Sequence, residues 1–129
     1  MSEQRMQTDL QALRDIVRQF VDERDWDQFH SPRNLACALS VEAAELLEPF
    51  QWLEKGTAQE LGETARLQVK HEMADVLTYL IRLADKLDVD LYQAVVEKME
   101  LNRLKYPADQ VRGDARKYTA YSTAARKRD

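Results

Sequence analysis

The sequence has 129 residues, enough for one domain with a single core. Glycine and proline number three each, against 44% hydrophobic, 33% charged and 8% aromatic residues. Few tight turns are therefore expected, which disfavours a sandwich or barrel and points to an all-α chain. No apolar run approaches the roughly 18–20 residues of a membrane span, and the start of the chain has no apolar signal segment. One cysteine, Cys37, rules out an internal disulfide and a cysteine-based zinc site; both absences fit a cytoplasmic protein. The net charge of −4 is unevenly spread: residues 103–129 carry 8 basic and 3 acidic side chains, while the body before them is strongly acidic. Such a body would repel duplex phosphates, which argues against nucleic acid as the main ligand. The basic end reads as a solvated tail, with nucleic-acid contact as the alternative.

Four helices are predicted from period and caps. The first starts near Thr8, with Gln11 completing a capping box, and carries an apolar stripe of Leu10, Leu13, Ile16, Val17, Phe20 and Val21. The second follows Ser31-Pro32, an N-cap serine and a first-position proline. Its apolar side is Leu35, Leu39, Ala43, Leu46, Leu47 and Phe50. Pro49 should loosen the last turn, with Gly56 as the stop. The third could open at Thr57, where Thr57-x-x-Glu60 reads as another capping box, with Gly62 as a potential break; its pattern is plain from about Glu63 to Leu87, with Leu67, Met73, Val76, Leu77, Leu80, Ile81, Ala84 and Leu87 as its core face. Asp90 caps the fourth, which stops before Pro107. The expected architecture is a four-helix bundle over residues 1–107, then a basic, poorly ordered tail over 108–129.

The chemistry concentrates in two carboxylate pairs, Glu42-x-x-Glu45 on the second helix and Glu72-x-x-Asp75 on the third. Residues three apart share a helix face, and both pairs are flanked by apolar side chains. Four acids converging between two helices would repel one another, and a hard divalent cation would relieve that repulsion. Either motif alone is more commonly a solvated face. Two of them on consecutive helices, set in apolar sequence, bring the metal reading to equal standing. A redox di-iron site is disfavoured, because neither His30 nor His71 lies three residues after a glutamate.

Two further clusters stand out. Trp26, Asp27, Gln28, Phe29 and His30 lie between the first two helices, and Trp52 lies at the far end of the second. Rings interleaved with polar groups can stack on and hydrogen-bond a nucleobase, or can simply staple the helix junction. Tyr79 shares a face with Asp75. Lys98 and Asn102 share a face of the fourth helix and could meet phosphate oxygens.

In order along the chain, ERDWDQFHSPRNL, SVEAAELLEPFQW, HEMADVLTYL and KMELNRLKYP resemble the MazG-like all-α nucleoside triphosphate pyrophosphohydrolases, in particular their dCTP pyrophosphatase branch. The resemblance runs from about Leu10 to Pro107 and leaves the tail uncovered. It implies that Glu42, Glu45, Glu72 and Asp75 are Mg²⁺ ligands and catalytic residues. It implies a nucleoside pocket from residues 26–30 with Trp52 and Tyr79, and it turns Lys98 and Asn102 toward the triphosphate. Val17 stands where some members carry a histidine facing the base. The implied activity is hydrolysis of a nucleoside triphosphate, dCTP or a modified dCTP, to monophosphate and pyrophosphate by a homotetramer that cleanses the nucleotide pool. The alternative is a non-enzymatic helical interaction module whose acidic face binds a basic partner.

Overall fold

Each helix of the computed structural model begins or ends on a local signal that the sequence carries. The structure describes residues 6–114. Helix α1 spans Asp9–Glu23, α2 Pro32–Leu47, α3 Ala58–Lys86, α4 Leu91–Lys105 and α5 Ala108–Val111, and no strand occurs among the described residues. At the head of α1 the Thr8 hydroxyl accepts from the Gln11 backbone N–H, and the Gln11 side chain accepts from the Thr8 N–H. These reciprocal bonds satisfy two donors that the first helical turn leaves open. Ser31 caps α2 in the same manner through the Asn34 N–H, with Pro32 as the first helical residue.

Two of the ends share one device. After α1, Asp25 takes a left-handed conformation with φ 52°, and the Trp26 N–H returns 3.1 Å to the Val21 carbonyl. After α3, Asp88 does the same with φ 54°, and the Val89 N–H reaches the Ala84 carbonyl at 2.8 Å. This is a Schellman closure with aspartate in the place usually taken by glycine. The first closure turns the chain sharply and fixes Trp26 beside Phe20, the rings meeting edge to face at 5.7 Å.

Two expectations are corrected. Helix α2 ends at Leu47, nine residues before Gly56, and a single 3-10 turn, Glu48–Phe50, follows it. The missing N–H of Pro49 removes the bond that would have continued the helix. Gly56 instead sits in the following loop with φ 71°, where a Cβ would lie 2.6 Å from a Phe50 ring carbon. Residues 108–111, expected to be extended or disordered, form the short α5. Residues 115–129 of the expected tail lie outside the described residues. The break expected at Gly62 is present: φ 74° and ψ 175° interrupt α3 after its first turn.

The chain divides into two compact units between Leu91 and Tyr92. In the first, α3 packs against both α2 and α1. The buried apolar residues are Val21 from α1, Leu35 from α2, and Ile81 and Ala84 from α3. Other residues of the predicted stripes, including Ile16, Phe20, Leu67, Met73 and Leu77, remain exposed on this chain. The second unit contains α4 and α5. No described helix is long and apolar enough to cross a membrane.

Candidate metal centre and adjoining cavity

Glu42 and Glu45 lie one turn apart on α2, and Glu72 faces them from α3. Each contributes a carboxylate oxygen to a group whose members are within 4.8 Å of one another. Side-chain oxygens Glu42 Oε2 and Glu72 Oε2 are buried without a hydrogen-bond partner among the described residues. Buried oxygens normally find a donor, and two orphaned acceptors on neighbouring carboxylates match the oxygen-rich donor set of a hard divalent cation. The electrostatics agree. Burial, then the neighbouring Glu45, Asp75 and Glu72, push the Glu42 carboxyl up to about 7. A cluster that holds a proton this strongly in the absence of a cation is poised to exchange it for one.

The fourth predicted acid, Asp75, lies one turn beyond Glu72. It falls outside the 4.8 Å group, yet lines a cavity of about 390 Å³ in the same unit. Trp26, His30, Thr78 and Tyr79 also line this cavity, with Ile16, Val17, Phe20 and Val21 of α1 as its apolar wall. Asp75, Tyr79 and Arg82 come to it by helical spacing, at i, i+4 and i+7 on α3.

The remaining predicted residues are used differently. The Asp27 carboxylate pairs with Lys86 Nζ at 2.5 Å and with Arg82, and the Lys86 hydrogen bond holds it below the usual carboxylate range. Gln28 folds back on the Asp25 carbonyl and carboxylate. Phe29 is exposed, and its carbonyl accepts from the Asn34 side chain. None of these three lines the cavity, and neither does Trp52, which is 86% exposed in the loop after α2. Lys98 and Asn102 lie on α4 in the second unit, Lys98 exposed and Asn102 half-buried.

Arg82 is the residue that the sequence reading missed. It is 6% exposed, binds Asp27 and Asp85, and donates from Nε to His30 Nδ1 at 3.1 Å. Asp85 is held in turn by Arg18, at 2.5 and 2.7 Å, and that pair lowers its pKa. A lone arginine within the apolar run Tyr79-Leu80-Ile81-Arg82-Leu83-Ala84, on the Asp75 and Tyr79 face, was the available signal.

Comparison with known proteins places the chain. It is 46% identical over 112 residues to human dCTP pyrophosphatase 1 and 48% identical over 114 residues to the rat protein. Each match covers 85% of this chain and 66% of the relative, so the chain spans just under two thirds of those proteins' length. A crystallised pyrophosphatase from Archaeoglobus fulgidus superposes with a TM-score of 0.73 at 41% identity, over 82% of this chain and 99% of that one. The MazG-like family model matches residues 37–120, a stretch that holds all four acids. With sequence and fold in agreement, the chain belongs to the MazG-like family.

Proposed function

We propose that the protein is a Mg²⁺-dependent hydrolase that splits a (deoxy)nucleoside triphosphate, dCTP or a modified relative of it, into the monophosphate and pyrophosphate, and so clears unwanted nucleotides from the cytoplasmic pool. The observation that carries this reading is the position of Asp75, which joins the acidic cluster to a cavity walled by aromatic and apolar side chains. Similarity to dCTP pyrophosphatases supports the substrate class.

Glu42, Glu45, Glu72 and Asp75 are the proposed holders of the cation. When bound, Mg²⁺ supplies charge neutralisation for the triphosphate and lowers the pKa of coordinated water. The carboxylates orient the attacking water at the α-phosphorus, and one of their oxygens takes its proton. Trp26 and Phe20 offer faces on which the base stacks, while His30 and Tyr79 offer polar edges. Lys98 and Asn102 are assigned to the triphosphate oxygens. Positioning and charge neutralisation supply most of the rate, so no covalent nucleophile is required. Cys37 is exposed on α2, five residues before Glu42.

The test is the bond that breaks. With dCTP and Mg²⁺, monophosphate and pyrophosphate should appear in equal amounts. In ¹⁸O-labelled water the label should enter the monophosphate. Release of inorganic phosphate with a nucleoside diphosphate contradicts the reading, and label found only in pyrophosphate moves the attack to the β-phosphorus.

The protein is also proposed to work as a homotetramer. Val41, Leu47, Leu67, Met73 and Leu77 are between 38% and 64% exposed on a single chain. Apolar side chains in such number are a surface that further copies of the chain would cover. Light scattering on the purified protein should give four times the chain mass, and a monomer at micromolar concentration would end this part of the proposal.

A further inference from the structure

Arg82 has no part in the chemistry described so far, yet it is a nearly buried charge at the edge of the cavity. Its donors are distributed among three partners: the Asp27 carboxylate, Asp85 Oδ2 at 3.4 Å, and His30 Nδ1 at 3.1 Å. A guanidinium can only donate. The ring nitrogen facing it must therefore accept, and the proton of a neutral imidazole is left on Nε2. Burial and the Arg82 charge, with a smaller effect from Lys86 and against the pull of Asp27, lower the His30 pKa, which keeps the ring neutral.

We infer that Arg82 is a positioning residue that locks His30 in its Nε2–H form, so that the ring offers the cavity a hydrogen-bond donor and no acceptor. The inference rests on the proposed reading of this cavity as the nucleobase pocket, and it gives that pocket a rule of selection. Cytosine presents an unprotonated N3 on its pairing edge, an acceptor that a fixed N–H can meet. Uracil and thymine present N3–H at the same position, a donor facing a donor. A site built around one hydrogen bond rejects the analogue that cannot make it, because its own polar group is left unpaired. A histidine free to exchange tautomers would lose this discrimination by turning Nε2 into an acceptor.

Arg82→Met removes the donor while leaving Asp27 paired with Lys86 and Asp85 paired with Arg18. The ratio of kcat/KM for dCTP over dUTP is expected to fall about tenfold, chiefly through KM, the size of one hydrogen bond near 1.4 kcal/mol. In a His30→Phe background the same substitution should leave the ratio unchanged, a non-additivity that a merely structural arginine would not produce. Nitrogen NMR of the His30 ring needs no variant at all: Nδ1 should resonate as the unprotonated nitrogen and Nε2 as the protonated one. A ring protonated at Nδ1, or one averaging both forms, overturns the inference, as do fully additive effects in the double variant. A ring locked in the wild type and released in Arg82→Met, with an unaltered dCTP:dUTP ratio, upholds the lock and overturns the base-pocket reading instead.

Discussion

Glu45→Gln and Asp75→Asn are each expected to cut pyrophosphate release by more than about a hundredfold, beyond the 10- to 100-fold typical for losing a residue that only supports a metal ligand. Neither substitution should unfold the protein. Glu45 stands against Glu42 in a cluster whose mutual repulsion helps to hold one carboxyl near neutrality. Replacing a charged oxygen by an amide removes part of that repulsion and gives the orphaned Glu42 oxygen a donor to meet. The metal-free Glu45→Gln protein should therefore melt at or above the wild-type temperature while losing its activity. Thermal unfolding without metal and pyrophosphate release with it, on the same preparations, separate the two effects. Loss of the folded state in both variants would make these acids structural and remove the centre from this part of the molecule.

The second large effect is a linkage between protons, cation and stability. The Glu42 carboxyl rises from an ordinary 4.5 to about 7 in the folded chain, through burial first and then the carboxylates of Glu45, Asp75 and Glu72. Between those values the folded state retains a proton that the unfolded chain has released. The unfolded state binds fewer protons there, so stability falls as pH rises through the window and levels off above it. A divalent cation takes the proton's place. Added Mg²⁺ should raise the melting temperature most at the alkaline end of the window, where the proton is no longer available, and least at the acid end. A concentration a hundred times the dissociation constant stabilises by about 2.7 kcal/mol through mass action. Calorimetric scans across pH, with Mg²⁺ and with chelator, measure the slope and its flattening. A melting temperature independent of both pH and Mg²⁺ would mean that Glu42 titrates normally and the cluster holds no cation.

The helices were legible because their ends are decided locally. Thr8 with Gln11, Ser31 with Pro32, and Pro107 act within a few residues of themselves, and the structure uses each at its own boundary. The acidic cluster was legible for a related reason. A spacing of three on a helix puts Glu42 beside Glu45 and Glu72 beside Asp75 wherever those helices go, and only the meeting of the two pairs depends on tertiary packing. Asp27 shows where such reasoning ends. Its partners Arg82 and Lys86 lie 55 and more residues away, and nothing in the local pattern announces that this aspartate neutralises charges on a distant helix. The apolar stripes show the same limit: Phe20 and Met73 were read as core, and periodicity finds the face of a helix without telling which surface will cover it.

Gly62 has a consequence for how this molecule can vary. A continuous helix transmits any change in twist or register along its hydrogen-bond ladder, so an altered loop before α3 would be felt at Glu72 and Asp75. The φ of 74° at Gly62 interrupts that ladder. The four residues before it belong mechanically to the preceding loop, where the Glu60 carboxylate accepts from the Glu54 N–H at 3.2 Å and reaches the Lys55 N–H at 3.5 Å. The segment bearing Trp52 can thus lengthen, shorten or exchange residues while the acids ten and more positions downstream keep their places. One glycine gives the fold a mechanical insulator between the stretch of chain free to diverge and the stretch that has to stay as it is.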